Sequence, residues 1–158
     1  MHSIEVELNG RGLRVAALAS RFNHPISHRL LESCLARLEE LGCEEVDVIW
    51  VPGAFELPLA AQSLARTGCY HALAALGAVI RGDTPHFEYV CGAVAEGLGR
   101  VSLDTGVPVA FGVLTTDNVE QALERAAKAG EPGSNKGREA ADVAVEMARL
   151  VGTLQEGA

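Results

Sequence analysis

The sequence GAVIRGDTPHFEYVC at residues 77–91 decides how this chain folds. Residues 72–80 are almost entirely apolar and predict a strand buried on both faces of a parallel sheet. The apolar run stops at Arg81. Thr84 followed by Pro85 predicts the start of a helix, with a hydroxyl N-cap and a proline at the first helical position, where a missing N–H costs nothing. Apolar residues then recur at helical spacing.

The loop at residues 81–86 therefore lies at the carboxyl end of a strand and the amino end of a helix. In open α/β sheets ligands bind at such places, and the exposed N–H groups suit an anion. His86 falls in the first helical turn, at the rim of the predicted pocket. Taken alone, the pattern is better explained by an ordinary helix start with a surface histidine. The rest of the chain favours a functional site.

Strands and helices alternate on both sides of this stretch. The pattern predicts three further core strands and four further helices, at residues 13–20, 45–51 and 107–114 for the strands and 25–41, 55–65, 119–129 and 135–154 for the helices. This alternation predicts an α/β, three-layer, flavodoxin-like fold with a four-stranded parallel sheet core, as a single domain over residues 1–158. Residues 3–8 alternate polar and apolar, which predicts an N-terminal strand that pairs with a neighbouring subunit.

Composition limits the possible partners. Apolar residues make up 48% of the 158 residues while aromatic residues make up only 4%, so we expect a core of Ala, Val and Leu and surface buried against other copies of the chain. The net charge of −8 argues against nucleic acid or an anionic membrane as a partner. The four cysteines form no C-x-x-C pair, and no His/Cys set has metal-ligand spacing. With neither a signal peptide nor a membrane span expected, we place the chain in the reducing cytoplasm.

The loops after the first two strands contain candidate binding residues. Phe22 and Asn23 follow the first strand, and an aromatic ring there could stack on a planar ligand, although a phenylalanine that caps the core is at least as good an explanation. After the second strand, Gly53 and Ala54 would let a ligand approach backbone amides. Glu56 could accept hydrogen bonds from hydroxyls, but by itself it is better explained as a complement to the positive end of a helix.

The second half of the chain adds an aromatic residue and two cations. Phe111 lies in the fourth strand, and Arg125 is as well explained by a solvated helix face as by a binding role. Lys136 starts the last helix, where the helix dipole disfavours a cation, and this conflict weakly favours a function. There is no Walker phosphate loop, no G-x-G-x-x-G after the first strand and no serine in a nucleophile elbow.

Five motifs in order resemble one known family. The chain reads RFN at 21–23, PGAFELP at 52–58, GAVIRGDTPHFEYV at 77–90, FGVLTTDNVEQALERA at 111–126 and NKGREAA at 135–141. Together they resemble lumazine synthase, from about residue 14 to residue 147. Each motif is weak by itself, but chance does not produce all five in this order and spacing.

The resemblance implies an enzyme of riboflavin biosynthesis without a cofactor or a metal. Its reaction condenses 5-amino-6-(D-ribitylamino)uracil with 3,4-dihydroxy-2-butanone 4-phosphate, giving 6,7-dimethyl-8-ribityllumazine, phosphate and water. The alternatives are an archaeal-type riboflavin synthase, which PGAFELP and GDTPHFEYV disfavour, and a non-catalytic flavin-binding or shell-forming relative. The presence of Phe22, Glu56, His86 and Arg125 together argues against the non-catalytic alternative.

The resemblance also implies the roles of individual residues. His86 is the catalytic residue that moves protons, and Arg125 pairs with the phosphate. Phe111 and Lys136 come from a neighbouring subunit. The other implied substrate-binding residues are Phe22 on the pyrimidine ring, Ala54 and Glu56 on the ribityl chain, Val79 and Ile80 along the pyrimidine, Gly82, Asp83 and Thr84 on the phosphate side, and the adjoining Asn23, Gly53, Phe55 and Arg81.

The chain departs from the family's pattern at residues 126–134, which form a longer segment than the compact turn of many relatives. Lys128 therefore has no secure counterpart in the family. The resemblance implies a ring of five subunits, and the longer loop leaves open whether such rings assemble further.

Overall fold

Four parallel strands form the centre of the molecule in a computed structural model that describes residues 1–157. They are β1 (Arg14–Ser20), β2 (Glu45–Val51), β3 (Ala72–Ile80) and β4 (Val109–Thr116), and their order in the sheet is β2-β1-β3-β4. All three pairings are parallel. The predicted three-layer α/β fold with a four-stranded parallel core is confirmed.

Helices cover both faces of the sheet. One core joins the sheet to α1 (His24–Glu40), to the short α4 (Val119–Glu124) and to α5 (Lys136–Gln155). The other joins it to α2 (Leu57–Ala65), which follows a 3-10 turn (Ala54–Glu56), and to α3 (His86–Thr105). Because the sheet separates the two cores, the central strands β1 and β3 are buried on both faces.

The apolar run in β3 follows from this double burial. Ala74 and Leu76 face α1 and α5, while Leu73 and Ala75 face α2 and α3, since successive side chains of a strand point to opposite faces. All four side chains are fully buried. A strand with two buried faces needs no polar alternation, which is why its sequence reads as a continuous apolar stretch.

Helices α1 and α5 approach each other very closely at Gly137. A Cβ atom built on Gly137 would overlap the carbonyl oxygen of Leu30 and would lie 2.7 Å from its carbonyl carbon. Only glycine permits this contact between the helix backbones. The position explains a glycine in the first turn of a helix, where its propensity is otherwise poor.

The predicted start of α3 and the predicted end of α4 are wrong. Other element ends are shifted by one or two residues: α2 begins at Leu57 rather than residue 55, and β4 is Val109–Thr116 rather than residues 107–114. Helix α3 begins at His86 with Pro85 at the cap position, so the predicted Thr84 N-cap is wrong, and no side-chain hydrogen bond caps the helix. Helix α4 ends at Glu124 rather than near residue 129. Its continuation instead forms an antiparallel bridge between Ala126 and Asn135, which takes the backbone groups that a longer helix would use.

The N-terminal segment forms no strand within this chain. Residues 1–10 have no regular secondary structure, and Arg149 of α5 donates a hydrogen bond to the carbonyl oxygen of Asn9 at 2.6 Å. The pairing of residues 3–8 with a neighbouring subunit stays a prediction. Among the helices of residues 1–157, none combines the length and the apolar character needed to cross a membrane.

Candidate active site

A cavity of about 730 Å³ opens at the carboxyl ends of β1, β2 and β3. The chain leaves β1 and β3 toward opposite faces of the sheet, so the cavity lies at a topological switch point, where α/β proteins bind ligands. Its lining comes from three loops and the first turn of α3. The lining residues are Phe22, Asn23, Pro52, Gly53, Ala54, Phe55, Glu56, Ala78, Val79, Ile80, Gly82, Thr84, His86, Phe87, Tyr89 and Val90.

The loop after β1 holds Phe22 in a defined place. Asn23 adopts a left-handed conformation, with φ 62° and ψ 39°, which asparagine tolerates better than most residues. Its Nδ2 donates a hydrogen bond to the carbonyl oxygen of Ala78 at 2.9 Å, and the backbone N–H of Phe22 donates to Pro52 at 3.0 Å. The Phe22 side chain is 71% exposed and forms one wall of the cavity. A planar ligand can therefore stack on it.

The loop after β2 brings a carboxylate to the cavity. A Cβ atom on Gly53 would be in ordinary van der Waals contact with both side chains, 3.4 Å from Oε1 of Glu56 and 4.0 Å from Cβ of Phe22, so this loop brings Glu56 close to Phe22. In the described chain the Glu56 carboxylate has neither a hydrogen-bond partner nor an ion-pair partner. It is available as an acceptor for ligand hydroxyls.

The loop between β3 and α3 presents unbonded amides. Within residues 1–157, the backbone N–H groups of Gly82, Asp83 and Thr84 donate to no backbone acceptor. His86 is the first residue of α3, and its exposed imidazole lines the cavity. Unbonded amides beside the amino end of a 20-residue helix form an environment that favours an anion.

Arg81 does not line the cavity. Its Nε lies 2.9 Å from Oδ1 of Asp117, its Nη1 pairs with Glu88, and its guanidinium lies 4.4 Å from the centre of the Phe87 ring. The hydrogen bond from Arg81 lowers the pKa of Glu88 below its ordinary value.

Four other predicted site residues also lie outside the cavity of this chain. Asp83 is exposed on the loop whose neighbours Gly82 and Thr84 do line it. Phe111 pairs with Ala75 in the sheet, five residues before the end of β4, which places it roughly 16 Å from the edge where the cavity opens. The backbone N–H of Lys136 donates to the carbonyl oxygen of Arg125 at 2.9 Å, so these two cations come from adjacent backbone segments.

The lining contains neither arginine nor lysine among the described residues. An imidazole, a carboxylate, aromatic rings and unbonded amides are brought together, but the guanidinium and ammonium groups predicted from the sequence are elsewhere.

Five lining residues were not predicted from the sequence: Pro52, Ala78, Phe87, Tyr89 and Val90. Tyr89 follows His86 by three residues in α3, and residues three and four apart lie on one helix face. This spacing could have predicted from the sequence that Tyr89 lies near His86 at the site. Tyr89 is 76% exposed, and within residues 1–157 its hydroxyl forms no hydrogen bond. Among residues 1–157, no three His, Cys, Asp or Glu side chains are grouped so that they could hold a metal ion.

Comparison with known proteins identifies the same family as the five sequence motifs. A sequence model of the family described as 6,7-dimethyl-8-ribityllumazine synthase matches residues 12–152. The chain is 49% identical over 151 residues to 6,7-dimethyl-8-ribityllumazine synthase of Nitratidesulfovibrio vulgaris (strain DSM 19637 / Miyazaki F), with 94% of this chain and 95% of the relative covered. The resemblance inferred from the five motifs is confirmed.

Proposed function

This chain belongs to the 6,7-dimethyl-8-ribityllumazine synthase family and carries out the condensation step of riboflavin biosynthesis, and we propose that it does so in the cavity at the carboxyl ends of β1, β2 and β3. The substrates in this proposal are 5-amino-6-(D-ribitylamino)uracil and 3,4-dihydroxy-2-butanone 4-phosphate. The products are 6,7-dimethyl-8-ribityllumazine, phosphate and water. No resident cofactor or metal is part of the proposal.

The pyrimidine substrate lies on the side of the cavity formed by the loops after β1 and β2. Its flat ring stacks on Phe22, which is exposed toward the cavity and fixed by backbone hydrogen bonds. Its ribityl hydroxyls donate to Glu56, whose carboxylate has no partner within the described chain, next to Ala54. The backbones of Val79 and Ile80 lie along the ring edge.

The butanone phosphate lies on the side formed by the loop between β3 and α3. Its phosphate accepts hydrogen bonds from the amides of Gly82, Asp83 and Thr84, and the dipole of α3 adds to their effect. His86 is next to this loop and transfers protons during Schiff-base formation, loss of phosphate and ring closure. Both substrates are reactive by themselves, so we expect positioning to supply much of the acceleration.

A neighbouring subunit completes the site. The single observation that carries this part is the absence of any arginine or lysine from the described lining, although the cavity has an anion-binding loop. We assign Arg125 of the adjacent subunit to the phosphate and Phe111 and Lys136 of that subunit to the remaining wall. Arginine suits this role because its planar guanidinium can bind phosphate with two parallel hydrogen bonds.

A ring of five subunits provides such a neighbour at every site. A ring has head-to-tail interfaces, so one subunit's cavity can face a different surface of the next subunit. The chain exposes apolar side chains beside the edge strand β4, including Leu103 and Val143, around a second cavity of about 420 Å³. Exposed apolar groups of this kind support self-association. A cytoplasmic location is also proposed, supported by four cysteines that form no disulfide among the described residues.

The activity is tested by mixing the purified protein with both substrates and following lumazine fluorescence. Formation well above the spontaneous background is expected. A rate equal to the background would contradict the proposed substrates and favour the non-catalytic flavin-binding or shell-forming alternative. The match to the lumazine synthase family already argues against the riboflavin synthase alternative.

The shared site has a separate test. His86→Ala and Arg125→Ala chains are prepared separately, unfolded, mixed in equal amounts and refolded. Random mixing leaves roughly a quarter of the shared sites with both groups intact, so activity above that of either variant is expected. Light scattering should give a mass of five times the 16.6 kDa chain, or a multiple of it. A monomer or dimer would overturn the ring of five. No recovery of activity despite proven mixing would mean that each site lies within one subunit.

A further inference from the structure

The loop between β3 and α3 has few contacts of its own. Among the described residues, the side chains of Asp83 and Thr84 form no hydrogen bond, and a Cβ atom on Gly82 would meet no atom within 4 Å. The loop that approaches the proposed phosphate is therefore held only at its two ends. Contacts that hold the end of β3 and the start of α3 therefore determine where the amides of this loop and the side chain of His86 lie.

Arg81 is attached to both ends of this loop. Its backbone N–H donates to the carbonyl oxygen of Thr116 at 2.8 Å, which extends the pairing of β3 with β4 by one residue. Its side chain then crosses to α3, where it pairs with Glu88 in the first turn and lies over the ring of Phe87, a residue of the cavity wall. One side chain thus connects the end of β3 to the start of α3.

The same guanidinium reaches the segment that carries Arg125. Its Nε is 2.9 Å from Oδ1 of Asp117, and the backbone N–H of Asp117 donates to Oε1 of Gln121 at 2.8 Å. Gln121 is in α4, and its carbonyl oxygen accepts a hydrogen bond from Nη1 of Arg125 at 3.1 Å. A continuous set of contacts therefore leads from the loop of one cavity to the cation assigned to the next cavity.

We propose that Arg81 is a positioning residue that holds the loop at residues 82–85 and helix α4 in a fixed relation, so that one side chain orders parts of two adjacent sites. The proposal rests on the proposed function for the identity of the two sites. It does not require Arg81 to touch a substrate. Arginine suits the role because its fork can bind two carboxylates while its flat face covers an aromatic ring.

The pattern of kinetic losses distinguishes positioning from general stabilisation. Because the paired side chains of Arg81, Glu88 and Asp117 are all partly exposed, their removal should change the thermal midpoint little. Arg81→Ala should instead raise KM for the butanone phosphate roughly 10- to 100-fold, since small displacements of binding groups have effects of this size. Binding of a ribityl-bearing pyrimidine analogue should change less than twofold, because Phe22 and Glu56 are on loops that Arg81 does not contact.

Two variants of the residues that pair with Arg81 distinguish its contact with α3, through Glu88, from its contact with Asp117 before α4. Glu88→Ala should speed hydrogen exchange of the amides at residues 88–91, in the first two turns of α3. Asp117→Ala should do so at residues 121–124, in α4. Arg81→Ala should do both. Adding Asp117→Ala to Arg81→Ala should raise KM no further than Arg81→Ala does, because partners in one network are not additive. Arg100→Ala, which removes an exposed pair with Asp104 farther along α3, is the matched control and should change neither quantity.

Arg81→Lys retains the positive charge and is the variant to use if Arg81→Ala does not fold. It should also raise KM for the butanone phosphate selectively, but by a smaller factor. Equal weakening of both substrates, a KM within twofold of wild type, or unchanged exchange in both segments of Arg81→Ala would overturn the proposal. The exchange measurement needs no substrate. Therefore, if the wild-type protein forms no lumazine, the proposed function fails while the positioning role of Arg81 is still decided by exchange.

Discussion

Replacing Gly137 by alanine tests the closest helix contact in the molecule. A Cβ atom at this position would overlap the carbonyl oxygen of Leu30 and would lie 2.7 Å and 2.9 Å from the carbonyl carbon and Cα of the same residue. All three atoms belong to the backbone of α1, so no side-chain rotation can relieve the contact. Helices α1 and α5 have to move apart.

The expected cost follows from this geometry. An ordinary carbon–carbon contact is about 3.5 Å, so the helices must separate by roughly 1 Å, which loosens the packing of Ala140 and Ala141 against the core. Overpacking costs about 1–3 kcal/mol, and a clash between backbones belongs at or above the upper end. Alanine's better helix propensity offsets about 0.5–1 kcal/mol. We expect a net loss of about 2–3 kcal/mol.

Thermal unfolding followed by circular dichroism measures this loss at one fixed protein concentration, because self-association makes the midpoint depend on concentration. The midpoint of Gly137→Ala should fall by roughly 5–10 °C for a chain of this length. Gly152→Ala is the control in the same helix: a Cβ atom there meets no atom within 4 Å, and its midpoint should rise by a few degrees. If Gly137→Ala unfolded at or above the wild-type temperature, the inferred backbone contact would be wrong.

Three further predictions concern the site. His86→Ala should lower turnover roughly 10- to 1,000-fold, toward the lower end because positioning remains, while KM changes much less; unchanged turnover in a stopped-flow assay would remove His86 from the chemistry. Arg125→Ala should weaken the butanone phosphate by ~1.5–3 kcal/mol and leave the pyrimidine nearly unaffected, and equal effects on both substrates in calorimetric titrations would contradict the phosphate role. Glu56→Ala should weaken a ribityl-bearing product analogue more than one without the ribityl chain; the same loss for both analogues would return Glu56 to a role at the helix end.

Most of the fold could be predicted from the sequence because its signals are local. The double burial of β3 appears as an unbroken apolar run at residues 72–80, and the predicted and observed limits of this strand coincide. The limits of β2 coincide as well. Periodicity identifies such elements because each side chain's environment repeats with the period of its strand or helix.

The predicted end of α4 was wrong because a segment distant in sequence forms hydrogen bonds with the backbone groups that a longer helix would use. Nothing between residues 119 and 129 indicates that the helix stops at Glu124, because the stop depends on residues 134–136. The backbone N–H of Ser134 donates to the carbonyl oxygen of Glu124 at 2.9 Å, and that of Lys136 donates to Arg125. A helix and a bridge cannot both use these groups.

The loops that contribute to the site could also be located from the sequence, because the carboxyl ends of parallel strands meet at one edge of a sheet. The resemblance to lumazine synthase added roles for Phe22, Glu56 and His86, and the structure brings these three side chains to one cavity. Their contacts with substrates stay predictions.

Only the tertiary structure decided which predicted residues share one cavity and which do not. Arg81 follows β3 directly, yet its guanidinium pairs with Asp117, 36 residues later, and lies outside the lining. Phe111 lies five residues before the end of β4, and Arg125 and Lys136 lie together elsewhere. Local pattern specifies what kind of backbone each segment forms. Distances between segments depend on strand order and register and on how closely helices approach at Gly137, and these arise only when the whole chain packs.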